Sequence, residues 1–205
     1  MKILIIDDHL VVREGLRRLL SSTLDITVHE ATSSQEALAA FRAHRPDLVL
    51  LDLNLPNSSG LELLRRLILE DKRAHILVFS MHAEPIYVVH ALKEGARGYV
   101  SKSASVDELV TAVKLVANGD RYIEREIASD IVLTRYSSND PFQQLTTREI
   151  DIMRLLGEGK DLKAISDLLG VAYKTIANSC TVIKGKLGVR RTADLIRLTF
   201  EMRDK

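Results

Sequence analysis

Five times in its first 117 residues the chain passes from a short apolar run to a longer amphipathic stretch, and this alternation limits the possible folds most. The runs are Ile3-Leu4-Ile5-Ile6, residues 26–30, Leu48-Val49-Leu50-Leu51, residues 75–79 and Gly98-Tyr99-Val100. The stretches after them cover 11–21, 34–43, 60–69, 85–94 and 106–117. Strands without polar alternation are covered on both faces, and a helix after each strand makes neighbouring strands parallel. The expected domain is therefore α/β, a doubly wound five-stranded parallel sheet.

From residue 118 the rhythm is lost. Residues 124–135 read as a linking helix and 136–141 as a polar breaker run. Only short helices follow, at 146–156, from Asp161 to 169, at 173–187 and from 192, with Gly157, Gly159, Gly170 and Gly188 as stops. Thr146-Thr-Arg-Glu149 is a capping-box sequence. The partition is a sheet domain at 1–120, a partly helical linker at 121–140 and a small all-α domain at 141–205. Charge follows it: 14 basic against 16 acidic side chains in the first part, 3 against 4 in the second, 12 against 8 in the third. An acidic front and a basic tail point to different partners. Cys180 is the single cysteine, which excludes an internal disulfide or a multi-cysteine metal site. No stretch approaches the ~20 apolar residues of a membrane span, and the opening apolar run is too short for a signal peptide. A cytoplasmic protein with no membrane partner is expected. With no Trp and 4% aromatics, base stacking is not its main mode of nucleic-acid contact.

In a doubly wound sheet the working site lies at the carboxyl ends of the strands. There the chain places Asp7 and Asp8 after strand 1, Asp52 after strand 3, Ser80 after strand 4 and Lys102 after strand 5. Three carboxylates at one edge repel unless a cation relieves them, and a hard oxygen-seeking ion such as Mg²⁺ suits them. Lys102 adds a compact positive charge and Ser80 a hydroxyl for phosphoryl oxygens. The set fits phosphoryl transfer onto a carboxylate, giving an acyl phosphate. A flavin-binding module of the same topology needs a Ser/Thr/Gly phosphate loop after strand 1. Asp7-Asp8 stands there instead and excludes it.

Ile-Asp7-Asp8-His, Leu-Asp52-Leu-Asn-Leu-Pro-Asn-Ser-Ser-Gly60, Phe-Ser80 and Gly98-Tyr99-Val-Ser-Lys102 together resemble the flavodoxin-like receiver domain of two-component response regulators over residues 1–120. The resemblance implies Asp52 as phospho-acceptor, with Asp8, Asp52 and the backbone carbonyl of Asn54 as ligands of Mg²⁺ (or Mn²⁺) and Asp7 acting through water. It implies Ser80 as the hydroxyl that turns toward the phosphoryl group, Tyr99 as the aromatic that swings with it, and Lys102 as the phosphate-binding lysine. Ser103 departs from the proline common after that lysine. His82, two residues after Ser80, reads as an exposed loop histidine, with a place bordering the pocket, where it would tune hydrolysis, as the alternative; His9 reads as structural rather than catalytic.

In the tail, the turn Gly170-Val171-Ala172 between two helices is short enough for a helix-turn-helix. On the third helix Ile176, Cys180, Ile183 and Leu187 form an apolar face, so Cys180 reads as a buried, inert thiol. Lys174, Ala177, Asn178, Thr181 and Lys184 fall opposite, with Asn178 able to pair with adenine and the lysines with phosphates. Leu145-Thr-Thr-Arg-Glu149, Leu155-Leu-Gly-Glu-Gly159, Lys163-Ala-Ile165, Lys174-Thr-Ile176 and Lys186-Leu-Gly-Val189 resemble the LuxR-type helix-turn-helix, so the whole chain resembles a NarL/FixJ-family response regulator. The resemblance maps base contacts onto Ala177, Asn178 and Thr181, and backbone contacts onto Lys174, Thr175 and Lys184. Ala172 replaces the usual Ser/Thr cap, and Ser179 a common His. Implied partners are a sensor histidine kinase, double-stranded DNA, a second copy on activation, and RNA polymerase. No enzymatic turnover is implied beyond self-catalysed phosphoryl transfer and slow autodephosphorylation. Two other readings keep the fold: a constitutive DNA binder whose receiver only dimerises, and a phosphatase-like or phosphorelay enzyme with an idle tail.

Overall fold

The computed structural model describes residues 1–56, 58–135 and 141–203. All five apolar runs are strands, each followed by a helix. In chain order come β1 (Lys2–Ile6), α1 (Leu10–Thr23), β2 (Thr27–Ala31), α2 (Ser34–His44) and β3 (Leu48–Leu51). A small hairpin, β4 (Asn54–Leu55) and β5 (Ser58–Ser59), leads into α3 (Gly60–Glu70), β6 (Ile76–Ser80), α4 (Pro85–Lys93), β7 (Gly98–Ser101) and α5 (Val106–Ala117). A sixth parallel strand, β8 (Tyr122–Ile123), joins the edge, giving the order β2-β1-β3-β6-β7-β8. Two residues are too few to show any periodicity, so β8 was hidden in the expected linker. Helix α6 (Arg125–Arg135) is the linking helix; residues 136–140 of the breaker run lie outside the described residues.

Alternate strand residues divide between two cores. Ile3, Ile5, Leu48, Leu50, Leu77, Phe79 and Val100 pack under α1 and α5. Leu4, Ile6, Val49, Leu51, Ile76, Val78 and Tyr99 pack under α2, α3 and α4. Each fully buried Leu or Ile contributes about 1.5–3 kcal/mol, so the absence of polar alternation in the runs is the energetic basis of the doubly covered sheet.

After a 3-10 turn at Pro141–Gln144 come α7 (Thr147–Gly157), α8 (Leu162–Leu168), α9 (Tyr173–Leu187) and α10 (Thr192–Arg203). Both bonds of the capping box form at Thr146 and Glu149, Asp161 caps α8, and Gly188 ends α9 in the left-handed region. Ala172 occupies the N-cap of α9 without a side-chain bond. Cys180 is buried with Ile176 and Ile183. In α7 every residue from Glu149 to Leu156 is buried. A helix with a free solvent side cannot do that; α7 is covered by the other helices on one side and by the sheet domain on the other.

Candidate functional site

The site lies between β1 and β3, where the strand order reverses. Ladder bonds carry the chain into it: the Asp52 amide donates to the Ile6 carbonyl (2.9 Å), and the Lys102 amide to the Ser80 carbonyl (2.9 Å). Asp7, Asp52 and Ser80 are buried. The Lys102 ammonium donates to Asp7 Oδ2 at 2.6 Å and to Asp52 Oδ2 at 2.7 Å. Asp52 Oδ1 accepts the Asn54 amide at 3.1 Å, and Asp7 Oδ1 the His9 amide at 2.8 Å. Asp8 stays one-third exposed, its carboxylate 2.8 Å from His9 Nδ1. Tyr99 is fully buried, and its hydroxyl donates to the His82 carbonyl.

Burial pushes the Asp52 carboxyl up, and the Lys102 ammonium draws it back only in part. Burial likewise pulls Lys102 down, but its bonds to Asp52 and Asp7 outweigh that and hold it above the usual lysine value. The group stays charged and shared between two acids. Tyr99 is raised well above an ordinary phenol, chiefly by burial, so it acts as a neutral hydrogen-bond donor. One oxygen each from Asp7, Asp8 and Asp52 and one nitrogen from His9 lie within 4.8 Å of one another. Three hard oxygen donors around an opening suit a divalent cation of the magnesium type.

The structure thus brings together Asp7, Asp8, Asp52, Asn54, Ser80, Tyr99 and Lys102. It corrects the expectation for His82, which is buried, its ring 4.8 Å from that of Tyr87. Every peptide bond among the described residues is trans, that preceding Ser103 included. Several neighbours were missed in the sequence. Arg13 is buried under the acids, donating to the Asp7 carbonyl (2.8 Å) and to Glu30 (3.0 Å). From the helical domain, Arg154 donates to Asn54 Oδ1 (2.9 Å) and Ser59 donates to Asp151. The available signal was phase: Arg13 shares the buried face of Leu16 and Leu20, and Asp151 and Arg154 lie three apart on a helix, hence on one face.

On α9 the residues Lys174, Thr175, Asn178 and Thr181 are exposed, and Ala177 and Lys184 half-buried. They form one face opposite Ile176, Cys180 and Ile183. Thr181 donates its hydroxyl proton to the Ala177 carbonyl (3.1 Å), leaving an acceptor outward. Lys186 is held at 2.6 Å by Glu149 and is not part of that face.

Residues 3–114 match the family model described as "Response regulator receiver domain", and residues 143–199 the one described as "Bacterial regulatory proteins, luxR family". The chain is similar to the transcriptional activator protein ExaE of Pseudomonas putida, 37% identical over 206 residues that cover 98% of this chain and 96% of that one. A crystal structure of a LuxR-family two-component response regulator from Aurantimonas sp. SI85-9A1 is 38% identical with a TM-score of 0.64, covering 66% of this chain and 97% of that one. RcsB from Salmonella enterica serovar Typhimurium, bound to promoter P1flhDC in the presence of the phosphomimetic BeF3-, superposes with a TM-score of 0.76 at 22% identity over 97% of this chain and 98% of that one. No helix among the described residues is long and apolar enough to cross a membrane.

Proposed function

The chain belongs to the NarL/FixJ family of response regulators, a receiver followed by a LuxR-type DNA-binding domain, and on that premise we propose that it is a phosphorylation-controlled transcriptional regulator whose acceptor is Asp52. The observation that carries this is the largely covered Lys102 ammonium bridging Asp7 and Asp52 at 2.6 and 2.7 Å beside the exposed Asp8. A carboxylate oxygen of Asp52 attacks the phosphorus of a phosphohistidine on a sensor kinase. The new P–O bond forms as the P–N bond breaks, and the imidazole departs with the electron pair. Asp8, Asp52 and the Asn54 carbonyl, with Asp7 through water, would hold Mg²⁺ or Mn²⁺. That ion, when bound, supplies positive charge for the phosphoryl oxygens.

Lys102 is the second counter-charge. It has only to move from Asp52 Oδ2 to the incoming oxygen while keeping Asp7. Ser80, at the end of β6, offers its hydroxyl to the same group, and Tyr99 on β7 follows that shift. No further turnover is assigned to the pocket beyond slow autodephosphorylation. The active form acts in the cytoplasm as a dimer, reading adjacent half-sites in the major groove through Ala177, Asn178 and Thr181, with Lys174, Thr175 and Lys184 on the backbone. RNA polymerase is a partner at the promoter. The RcsB complex with promoter DNA and a phosphomimetic supports this reading. Asp52→Asn should abolish labelling by acetyl phosphate; persistent labelling of that variant refutes the acceptor assignment.

The exposed α9 face favours one second reading, constitutive DNA binding. Equal DNA affinity with and without beryllofluoride supports it; a rise in affinity with beryllofluoride dismisses it.

A further inference from the structure

Helix α7 of the DNA-binding domain grips the β4–β5 hairpin at one paired rung. Asn54 and Ser59 are cross-strand partners in that hairpin. Arg154 donates to the side chain of Asn54 (2.9 Å), and Ser59 donates to Asp151, one turn earlier on α7. Asp151 and Arg154 are both buried, and Thr147 at the start of the helix adds a bond to Glu94 (2.7 Å). The hairpin begins two residues after Asp52.

The hydrogen-bond donors fix the chemistry of the rung. Arginine has donors only, so the Asn54 atom it meets is the carbonyl oxygen. His82 Nε2 lies 3.1 Å from the same oxygen and must therefore carry a proton there. Both lone pairs of Asn54 Oδ1 are then occupied. The His82 backbone carbonyl in turn accepts the Tyr99 hydroxyl, and its amide donates to Ser80 Oγ (3.3 Å). A single hydrogen-bonded chain thus runs from the switch pair Ser80 and Tyr99, through His82 and Asn54, to Arg154 in the other domain. Meanwhile Lys174, Thr175, Asn178 and Thr181 on α9 stay exposed, so docking of α7 covers the pocket's hairpin and leaves the DNA-reading face open.

We propose that Arg154 is a positioning residue of the phosphorylation pocket: by holding Asn54 and, through it, His82, it keeps the pocket in its unphosphorylated arrangement and slows phosphoryl acceptance by Asp52. The inference rests on the assignment of Asp52 above. Movement of Ser80 and Tyr99 toward a phosphoryl group must move His82, and the docked Arg154 resists that movement. At equilibrium the coupling between docking and pocket arrangement is reciprocal: a pocket in the phosphorylated arrangement loosens α7.

The test uses the full chain, with acetyl phosphate as donor and the phosphorylated fraction read by gel shift over time. Arg154→Ala removes the bond to Asn54 together with the ion pair to Glu158 (2.6 Å) on its own helix, and only the first reaches the pocket; the initial labelling rate should rise roughly threefold to tenfold, the range expected for loss of the bond to Asn54 partly replaced by water. Arg154→Lys, which keeps a charged donor group but loses the planar guanidinium fork, should fall between that variant and wild type. In an Asn54→Ala background the Arg154→Ala change should have no further effect, because the bond is already gone; a purely structural role of Arg154 would add its effect undiminished. Wild-type protein gives a readout free of substitutions: beryllofluoride with Mg²⁺ should speed amide exchange across α7 severalfold. Unchanged labelling by Arg154→Ala together with unchanged α7 exchange overturns the inference while leaving the acceptor assignment intact. Absence of labelling in the wild type removes both.

Discussion

Replacing Asp151 by Asn isolates the electrostatic cost of the carboxylate buried between the two domains. Burial pushes this acid from 3.8 to about 6, against the pull of Ser59 and Arg154. An acid raised on folding binds its proton more tightly in the folded state. Its stabilising contribution is therefore complete below the unfolded value of 3.8 and lost as pH rises through about 6. The full span is about 3 kcal/mol at about 1.4 kcal/mol per unit. At pH 8 both states are ionised. At pH 5 the folded carboxyl is about nine-tenths protonated and the unfolded one hardly at all, so about 1.4 kcal/mol of that contribution is still present and is lost by pH 8. Asp151→Asn has nothing to titrate at that position. Urea unfolding of both proteins at the two pH values should show the variant gaining about 1.4 kcal/mol relative to wild type on going from pH 5 to pH 8. Parallel pH profiles, or a variant that falls further behind as pH rises, would refute the claim that desolvation dominates this site.

Three further outcomes follow from the geometry. A Cβ on Gly60 would overlap the Leu53 backbone, which carries the chain away from Asp52, so Gly60→Ala should cost about 2 kcal/mol or more and show it in the thermal midpoint; an unshifted midpoint contradicts the contact. His29 and His44 stack with ring centroids 3.7 Å apart, and burial, then His44 and Lys2, hold His29 below its usual 6.5. Stability should therefore decline as pH falls below 6.5, and His29→Gln should flatten that slope in acid unfolding curves; an identical slope counts against the pair. Lys174→Ala and Lys184→Ala should each reduce the slope of log affinity against log salt by about 1 for specific and random duplexes alike, measured by fluorescence anisotropy; a loss confined to the specific duplex would place these lysines on bases instead.

The pocket was legible because each of its residues sits where a strand ends, and strand ends can be read from apolar runs. Asp7, Asp52, Ser80 and Lys102 needed only that the sheet be parallel for all of them to meet at one edge. The α9 face was legible for a similar reason, since Ile176, Cys180 and Ile183 fix its phase and leave the opposite residues outward. For His82 the exposed reading was preferred to the pocket-bordering one because a histidine two residues past a strand has no periodic neighbours to show that it turns inward. Residues Arg13, Asp151 and Arg154 escaped because charge at a core-phased position reads as a solvated edge until a partner is seen.

Local pattern alone therefore determined the β/α repeat, the convergence of acids on Lys102 and the helix-turn-helix, each of which depends on hydrophobic period or on short-range capping. The tertiary structure alone decided that β8 extends the sheet, that α7 is buried along eight consecutive residues, and that Arg154 reaches Asn54 across one hundred positions. The physical reason is range. Burial of an apolar face is encoded in the segment that owns it, whereas a hydrogen bond between domains depends on where two separately folded surfaces come to rest.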